Sequence, residues 1–214
     1  MSIKPLLAFD CAGLRASVAL LVRHTIHERT IEQGKQAVEL VPIIHELLSE
    51  NSVNYADLGH IITTIGPGSF TGVRIGLATL HGLALAKATP IKTLTSLKAM
   101  AWEALHRDHA PPNHFIVALR AGKGEVYAQE FKLEAGQPHE AGEIFLAPET
   151  KTDWALPCFG NVADAESPHF IAAANAATLC TVAEHIPESP LAEALPCYVR
   201  APDAKIPATA AWLS

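Results

Sequence analysis

The sequence has few cysteines and no two of them close together. Cys11, Cys158, Cys180 and Cys197 are far apart and form no C-x-x-C pair, so neither a zinc site nor a disulfide framework is indicated and a reducing cytoplasm is expected. No apolar run approaches the roughly 18 residues of a membrane span, and Met1-Ser2-Ile3-Lys4-Pro5 leads into only a short apolar stretch, so neither a signal peptide nor a membrane anchor is expected. Positive charge is scarce as well. The formal net charge is −6, with ten Lys/Arg against nine Asp/Glu in residues 1–110 and six against thirteen in residues 111–214. A chain that grips phosphates alone shows a basic face, so direct nucleic-acid binding by this chain alone is not expected.

What the sequence does have is 214 residues with 49% apolar content, enough for one domain or two small, closely packed lobes. Leu6 to Asp10 and Ala16 to Val22 read as strands joined by a hairpin at Cys11-Ala12-Gly13-Leu14-Arg15, and Thr25 to Ile31 alternates as a third strand. From Lys35 to Glu50 the period is helical. Val38, Val41, Ile44 and Leu48 form one stripe and Leu40, Ile43 and Leu47 an adjacent one, with Pro42 expected to kink the helix. His60 to Ile65 reads as a buried strand, Ser69 to Ala88 as a second helix, Pro90 to Thr93 as a strand and Thr95 to about Arg107 as a further helix.

Pro111-Pro112 marks the expected lobe boundary, dividing 1–110 from 111–214, with the last segment, about 195–214, packing back on the first lobe. Beyond the boundary, Phe115 to Leu119 and Glu125 to Leu133 resemble a second hairpin around Gly122 and Gly124, followed by short strands and a helix from about Asn175 to His185. Both halves begin with hairpins and continue into helix and strand. That order suggests a duplicated α/β architecture without a visible residue-level repeat.

The most specific stretch is Gly66-Pro67-Gly68-Ser69-Phe70-Thr71-Gly72-Val73-Arg74-Ile75-Gly76-Leu77, a glycine-rich turn passing from strand to helix. As structure, its glycines permit positive φ, Pro67 fixes the turn, and Ser69 or Thr71 caps the helix. As a binding loop, its free amides would face an anion, but it lacks the Lys-Ser/Thr ending of a P-loop and the spacing of a dinucleotide fingerprint. The helix that follows is apolar nearly all round: Gly72 and Gly76 lie one turn apart while Val73, Leu77, Leu80, Ala84 and Leu85 cover other faces. Either the second lobe covers this helix and the 38–48 face, or another protein does. The second reading is favoured because monomers rarely leave large apolar surfaces open.

These residues also carry a family resemblance. GPGSFTGVRIGL resembles the hallmark string of the TsaB (YeaZ-like) family in sequence and in its place between strand and helix. So do the opening Leu-Leu-Ala-Phe-Asp strand ending at Asp10, Glu39-Leu40-Val41-Pro42, Gly124-Glu125-Val126-Tyr127 and Pro196-Cys197-Tyr198-Val199-Arg200, in order along essentially the whole chain.

The resemblance implies a two-lobe, duplicated ASKHA-like (actin/hexokinase/Hsp70-type) fold and a pseudo-enzyme. In that family's pathway a paralogous TsaD subunit transfers threonylcarbamoyl to the adenosine beside the anticodon of tRNAs reading codons that begin with A. The TsaB-type chain supports it as a heterodimer, a TsaE-like ATPase joins, tRNA is met only through the complex, and a homodimer forms when TsaD is absent. By the same resemblance the partner interface would comprise Val38, Val41, Ile44, His45, Leu48, Gly72, Arg74, Ile75, Gly76 and Thr79.

The chain departs from the family pattern at three places. Asp10-Cys11-Ala12 replaces the usual Asp-Thr-Ser, losing two hydroxyls that could contact phosphate; Ala37-Val38-Glu39 replaces His-Ser-Glu; and Arg120-Ala121-Gly122 replaces Asp-Ala-Arg. No cofactor is therefore expected on this chain alone, with Asp10 and Gly13 the positions that would meet one, and ATP or ADP belonging to the complex.

Catalytic readings lack their residues. A TsaD-like subunit needs a His-x-x-x-His pair on a helix, which is absent. His24 and His27 lie on an expected strand, and His106 and His109 at a helix end lack a third ligand, so no metal is expected. Ser69 has no G-x-S-x-G elbow, and Cys11 and Cys180 have no local base, which argues against a protease. A small-molecule kinase of the same fold would use Asp10 near metal-bound phosphate. That alternative, a nucleotide-binding relative, and a self-associating homodimer without the tRNA role remain the competing readings.

Overall fold

A computed structural model of the chain describes residues 4–13, 15–107, 111–151 and 153–200. Its first sheet runs in the order β11-β5-β4-β1-β2-β3. Strands β1 (Leu6–Asp10), β2 (Ala16–Val22) and β3 (Thr25–Ile31) are antiparallel neighbours, while β4 (His60–Thr64) and β5 (Ile91–Leu94) add in parallel on the other side of β1. Arg23 and His24 both have positive φ (50° and 66°), the backbone that a two-residue hairpin needs to match strand twist.

The pleat divides the first sheet's residues between two cores. Leu7, Phe9, Val18, Leu20, Ile31 and Ile61 face α1 (Gln36–Glu50) and α2 (Phe70–Lys87). Leu6, Ala8, Ala19, Ile62 and Leu94 face α3 (Ser96–Leu105) and α4 (Ala176–Val182). Because both faces are covered, β1 is buried along its whole length. The helix α1 continues through Pro42, which sits on its exposed side. The ring removes the amide that would have met the Val38 carbonyl, on a side where water can replace it.

The second sheet has the order β10-β6-β7-β8, with β9 also pairing β7. It comprises β6 (His114–Gly122), β7 (Glu125–Glu134), β8 (Gln137–Glu140), β9 (Phe145–Pro148) and β10 (Cys158–Gly160). β6, β7 and β8 are antiparallel and β10 joins β6 in parallel. This repeats the arrangement of β1, β2, β3 and β4 strand for strand. The chain has the duplicated, two-lobe ASKHA-like α/β fold.

Residues after 111 do not stay in the second lobe. α4 packs on β1, β2 and β3, and β11 (Glu188–Ser189) pairs with β5 at the edge of the first sheet. A single cut at 110/111 therefore does not separate the two sheets' supports, because an α/β sheet needs both faces covered and α4 supplies part of that cover. Among the described residues no helix is long and apolar enough to cross a membrane.

Candidate functional site

Among the described residues the outer side of α1 and α2 is an apolar side without a cover of its own. Both helices lie on the same face of the first sheet and touch each other. Their sheet-facing residues, Leu40, Ile44, Leu47 and Leu48 on α1 and Val73, Leu77, Leu80 and Ala84 on α2, are buried. Their outward residues are not: Val38 is 76% exposed, Val41 51%, Phe70 59% and Leu85 72%. Thr71, Arg74, Ala78, Gly82 and Leu85 follow one another along the exposed stripe of α2. The second lobe packs from the opposite face of the sheet, through α3 and α4, so that among the described residues this side stays open. A 3₁₀ turn at Leu191–Glu193 shields part of α2, with Ala194 buried in the same core and its carbonyl 3.0 Å from the His81 ring.

The structure redraws the residue set expected for a partner. Val38, Val41, His45 and Arg74 are exposed, and Ile75 and Thr79 are half-buried. Ile44 and Leu48 are buried against the chain's own sheet, so they cannot offer a surface; the stripe drawn through 38, 41, 44 and 48 crosses from the outer to the inner side of the helix. Gly72 and Gly76 are also buried. At Gly72 smallness serves the chain itself, since a Cβ there would lie 1.9 Å from the Cys11 carbonyl oxygen, whereas one on Gly76 would make ordinary contact, 3.5 Å from the Cys11 Cβ. Phe70, Pro42, Ala78 and Leu85 are also exposed on this side, and the i, i+4, i+7 or i+8, i+11 spacing along α2 from Thr71 or Arg74 places Ala78 and Leu85 there.

The glycine-rich turn is a packing device in this arrangement. Gly66 takes φ +90°, Ser69 Oγ accepts from the Gly72 amide and caps α2, and the Ser69 amide donates to the Ala12 carbonyl at 2.7 Å. Gly68 presses against Ala12, where a Cβ would come within 2.4 Å of the carbonyl oxygen. The turn therefore locks the start of α2 onto the loop after β1. Thr71 is exposed and does not cap.

That loop borders a narrow crevice between the lobes, lined by Asp10, Ala12, Gly13, Ser96, Leu119, Ala173 and Ala174. Asp10 is buried. Its Oδ1 accepts from Thr64 Oγ1 and from the Ala12 amide at 3.4 Å, while among the described residues Oδ2 has no partner, and neither has the nearby Ser96 Oγ. Burial pushes the Asp10 carboxyl up to about 6, against the opposing pull of the Thr64 hydroxyl and the Ala12 and Gly13 amides. The crevice has room of about 10 Å³, the scale of one water. A nucleotide does not fit among these residues at this lobe angle.

The remaining candidates do not assemble. Among the described residues no group of three or more His, Cys, Asp or Glu could hold a metal. His24 lies in the hairpin turn, His27 on β3, and His106 Nδ1 lies 2.8 Å from the Trp102 carbonyl oxygen; His109 lies outside the described residues. Burial pushes the thiols of Cys158 and Cys180 up to about 12 and raises Cys11 further, so none is a thiolate near neutral pH. Arg120 pairs with Glu149 at 2.7 Å, and Gly122 stands in the β6–β7 turn with φ +74°.

The family model described as "TsaD: tRNA N6-adenosine threonylcarbamoyltransferase" matches residues 29–205. A protein named "tRNA threonylcarbamoyladenosine biosynthesis protein TsaB" from Escherichia coli is 33% identical over 147 residues, 67% of this chain and 63% of that protein. The protein of the same name from Bacillus subtilis is 32% identical over 133 residues, 61% of this chain and 56% of that one. The chain belongs to the TsaB/YeaZ family. The match spans 63% of the Escherichia coli relative's length and 56% of the Bacillus subtilis one's. Among solved structures, "YeaZ from Pseudomonas aeruginosa" is 26% identical with a TM-score of 0.75, covering 92% of this chain and 100% of that one.

Proposed function

We propose that this TsaB-family chain is a non-catalytic subunit in tRNA threonylcarbamoyladenosine biosynthesis. It supports a TsaD-like catalytic paralogue that transfers threonylcarbamoyl to N6 of the adenosine beside the anticodon of tRNAs reading ANN codons. The observation that carries this reading is the open apolar side of α1 and α2, where Val38, Val41, Phe70 and Leu85 stand exposed while the lobe crevice at Asp10 has room of only about 10 Å³. A chain with a developed docking side and a closed substrate cleft suits a partner-supporting role.

In this mechanism the chain contributes surface. The paralogue's helices cover the outer faces of α1 and α2, a TsaE-like ATPase joins the assembly, and tRNA and nucleotide are met by the complex, in the cytoplasm. Without the paralogue, a second copy of this chain covers the same side. The curated relatives carry the pathway's name, which supports the substrate assignment.

The test is tRNA threonylcarbamoylation in a reconstituted system with the partner subunits, with and without this chain, and with size-exclusion of the mixture. Dependence of the modification on the chain, co-elution with the paralogue and no activity from the chain alone are expected. Undiminished modification without the chain, and no complex, would overturn the reading.

A further inference from the structure

The last described residues hold both lobes within four positions. The Cys197 amide donates to the Ile65 carbonyl at 2.8 Å, just beyond β4. The Tyr198 hydroxyl accepts from Arg74 Nε at 3.0 Å, and its ring lies 6.0 Å from that of Phe70, over which the Arg74 guanidinium sits at 3.7 Å. Arg200 then crosses to the second lobe, where it pairs with Glu125 and donates to the Gly122 carbonyl at 3.4 Å, both at the β6–β7 turn.

We propose that residues 197–200 form a strap that fixes the angle between the lobes and carries any change in that angle to the exposed start of α2. Four residues reach at most about 14 Å when fully extended. With one end bonded beside Ile65 and the other at Glu125, so short a segment ties the two lobes, and wide lobe opening must release one of its ends. The apolar core shared through α3 and α4 joins the lobes by non-directional packing, whereas the strap supplies directional, charge-assisted bonds. The strap also lies next to the glycine-rich turn: a Cβ on Gly66 would sit 3.6 Å from the Cys197 carbonyl oxygen, while Gly68 on the same turn presses on Ala12 of the crevice. Movement at Arg200 therefore has a physical route through Tyr198 to Arg74 and Phe70.

The strap is a property of the isolated chain, so its test stands apart from the partner reading. Residue-resolved amide exchange is measured by NMR on the wild-type chain, Arg200→Ala and Tyr198→Phe, with Lys98→Ala as a control, since Lys98 pairs with Glu140 at 2.9 Å between α3 and β8, away from the strap. Arg200→Ala should speed exchange of the Cys197 amide, at the far end of the strap, by about tenfold, the scale of one charge-assisted bond. It should also speed the Val73 amide at the start of α2. Tyr198→Phe should speed Val73 while leaving the 120–126 turn unchanged, and Lys98→Ala should leave Cys197 unchanged. Should Arg200→Ala fail to fold, Glu125→Gln weakens the same end by removing the charge with the side chain's size kept. Faster exchange confined to residues 120–126, with Cys197 at its wild-type rate, would overturn the proposal, as would an equal effect from Lys98→Ala.

Discussion

Gly72 and Cys11 meet backbone to backbone: a Cβ placed on the glycine would lie 1.9 Å from the cysteine's carbonyl oxygen. The start of α2 is seated on the loop after β1 at a distance only glycine allows.

Gly72→Ala should therefore destabilise the chain by about 3 kcal/mol or more, because a backbone oxygen cannot step aside as a side chain can. Gly82, on the same helix, has nothing within 4 Å of its hypothetical Cβ, and Gly82→Ala should stabilise by about 1 kcal/mol through helix propensity. Thermal unfolding of the two variants should move in opposite directions, down by roughly 6–12 °C and up by roughly 2–4 °C. Equal shifts would mean that α2 does not press on Cys11.

The two sides of α1 should respond differently to the same change. Val41→Asp places a carboxylate in water and should leave the melting temperature nearly unchanged, yet weaken association with the proposed TsaD-like paralogue by about 100-fold, since the proposed complex would bury an unpaired charge. Ile44→Asp places it in the chain's own core and should prevent folding. Calorimetry beside size-exclusion of each variant with the paralogue separates the two effects; a Val41→Asp chain that binds as well as wild type would remove α1 from the interface.

Asp10 gives stability a pH dependence of known sign. Burial pushes its carboxyl up to about 6, above the ordinary 3.8 of a free aspartate, so the folded chain holds the extra proton between these values. Stability from this group is fully present below about pH 4, falls as pH rises through about 6, and is level above. The total is on the order of 3 kcal/mol. Asp10→Asn cannot ionise and should lose this slope, its advantage over wild type growing from pH 4 to pH 7 in denaturant titrations. A constant difference across that range would mean that the carboxyl is already charged in the fold.

Thiol chemistry offers a further check. With Cys158 and Cys180 raised to about 12 and Cys11 and Cys197 also raised by burial, the native chain at pH 8 should react with a thiol-specific disulfide reagent far more slowly than the denatured one. Rapid native labelling of Cys11 would show that the first loop opens readily.

Much of the fold was legible because its signals are local. The strands at 6–10, 16–22 and 25–31 stand where alternation and apolar runs place them, and Ser69 and Thr95 cap α2 and α3 as their side chains allow. The return of α4 and β11 to the first sheet was not legible, since two residues at 188–189 carry no periodicity and their pairing with β5 is tertiary. The candidate interface was half legible. Ile44 and Val41 are alike in composition, and only their angle about the helix, fixed by the sheet beneath, sends one inward and the other out. The strap contacts of Arg200 link positions 75 residues apart, a distance no short-range pattern spans.

The second sheet shares its roof with the first. Phe115, Val117, Phe131 and Phe159 sit in one core with Leu97, Met100 and Trp102 of α3, which precedes them in sequence, and with Leu179 of α4, which follows; its other face holds only a small cluster around Ile116, Ala118 and Ala128. The strands from 114 to 160 therefore cannot hide their phenylalanines alone. Cut out as a fragment they would aggregate or stay open, and within the whole chain the two lobes should melt in one cooperative step.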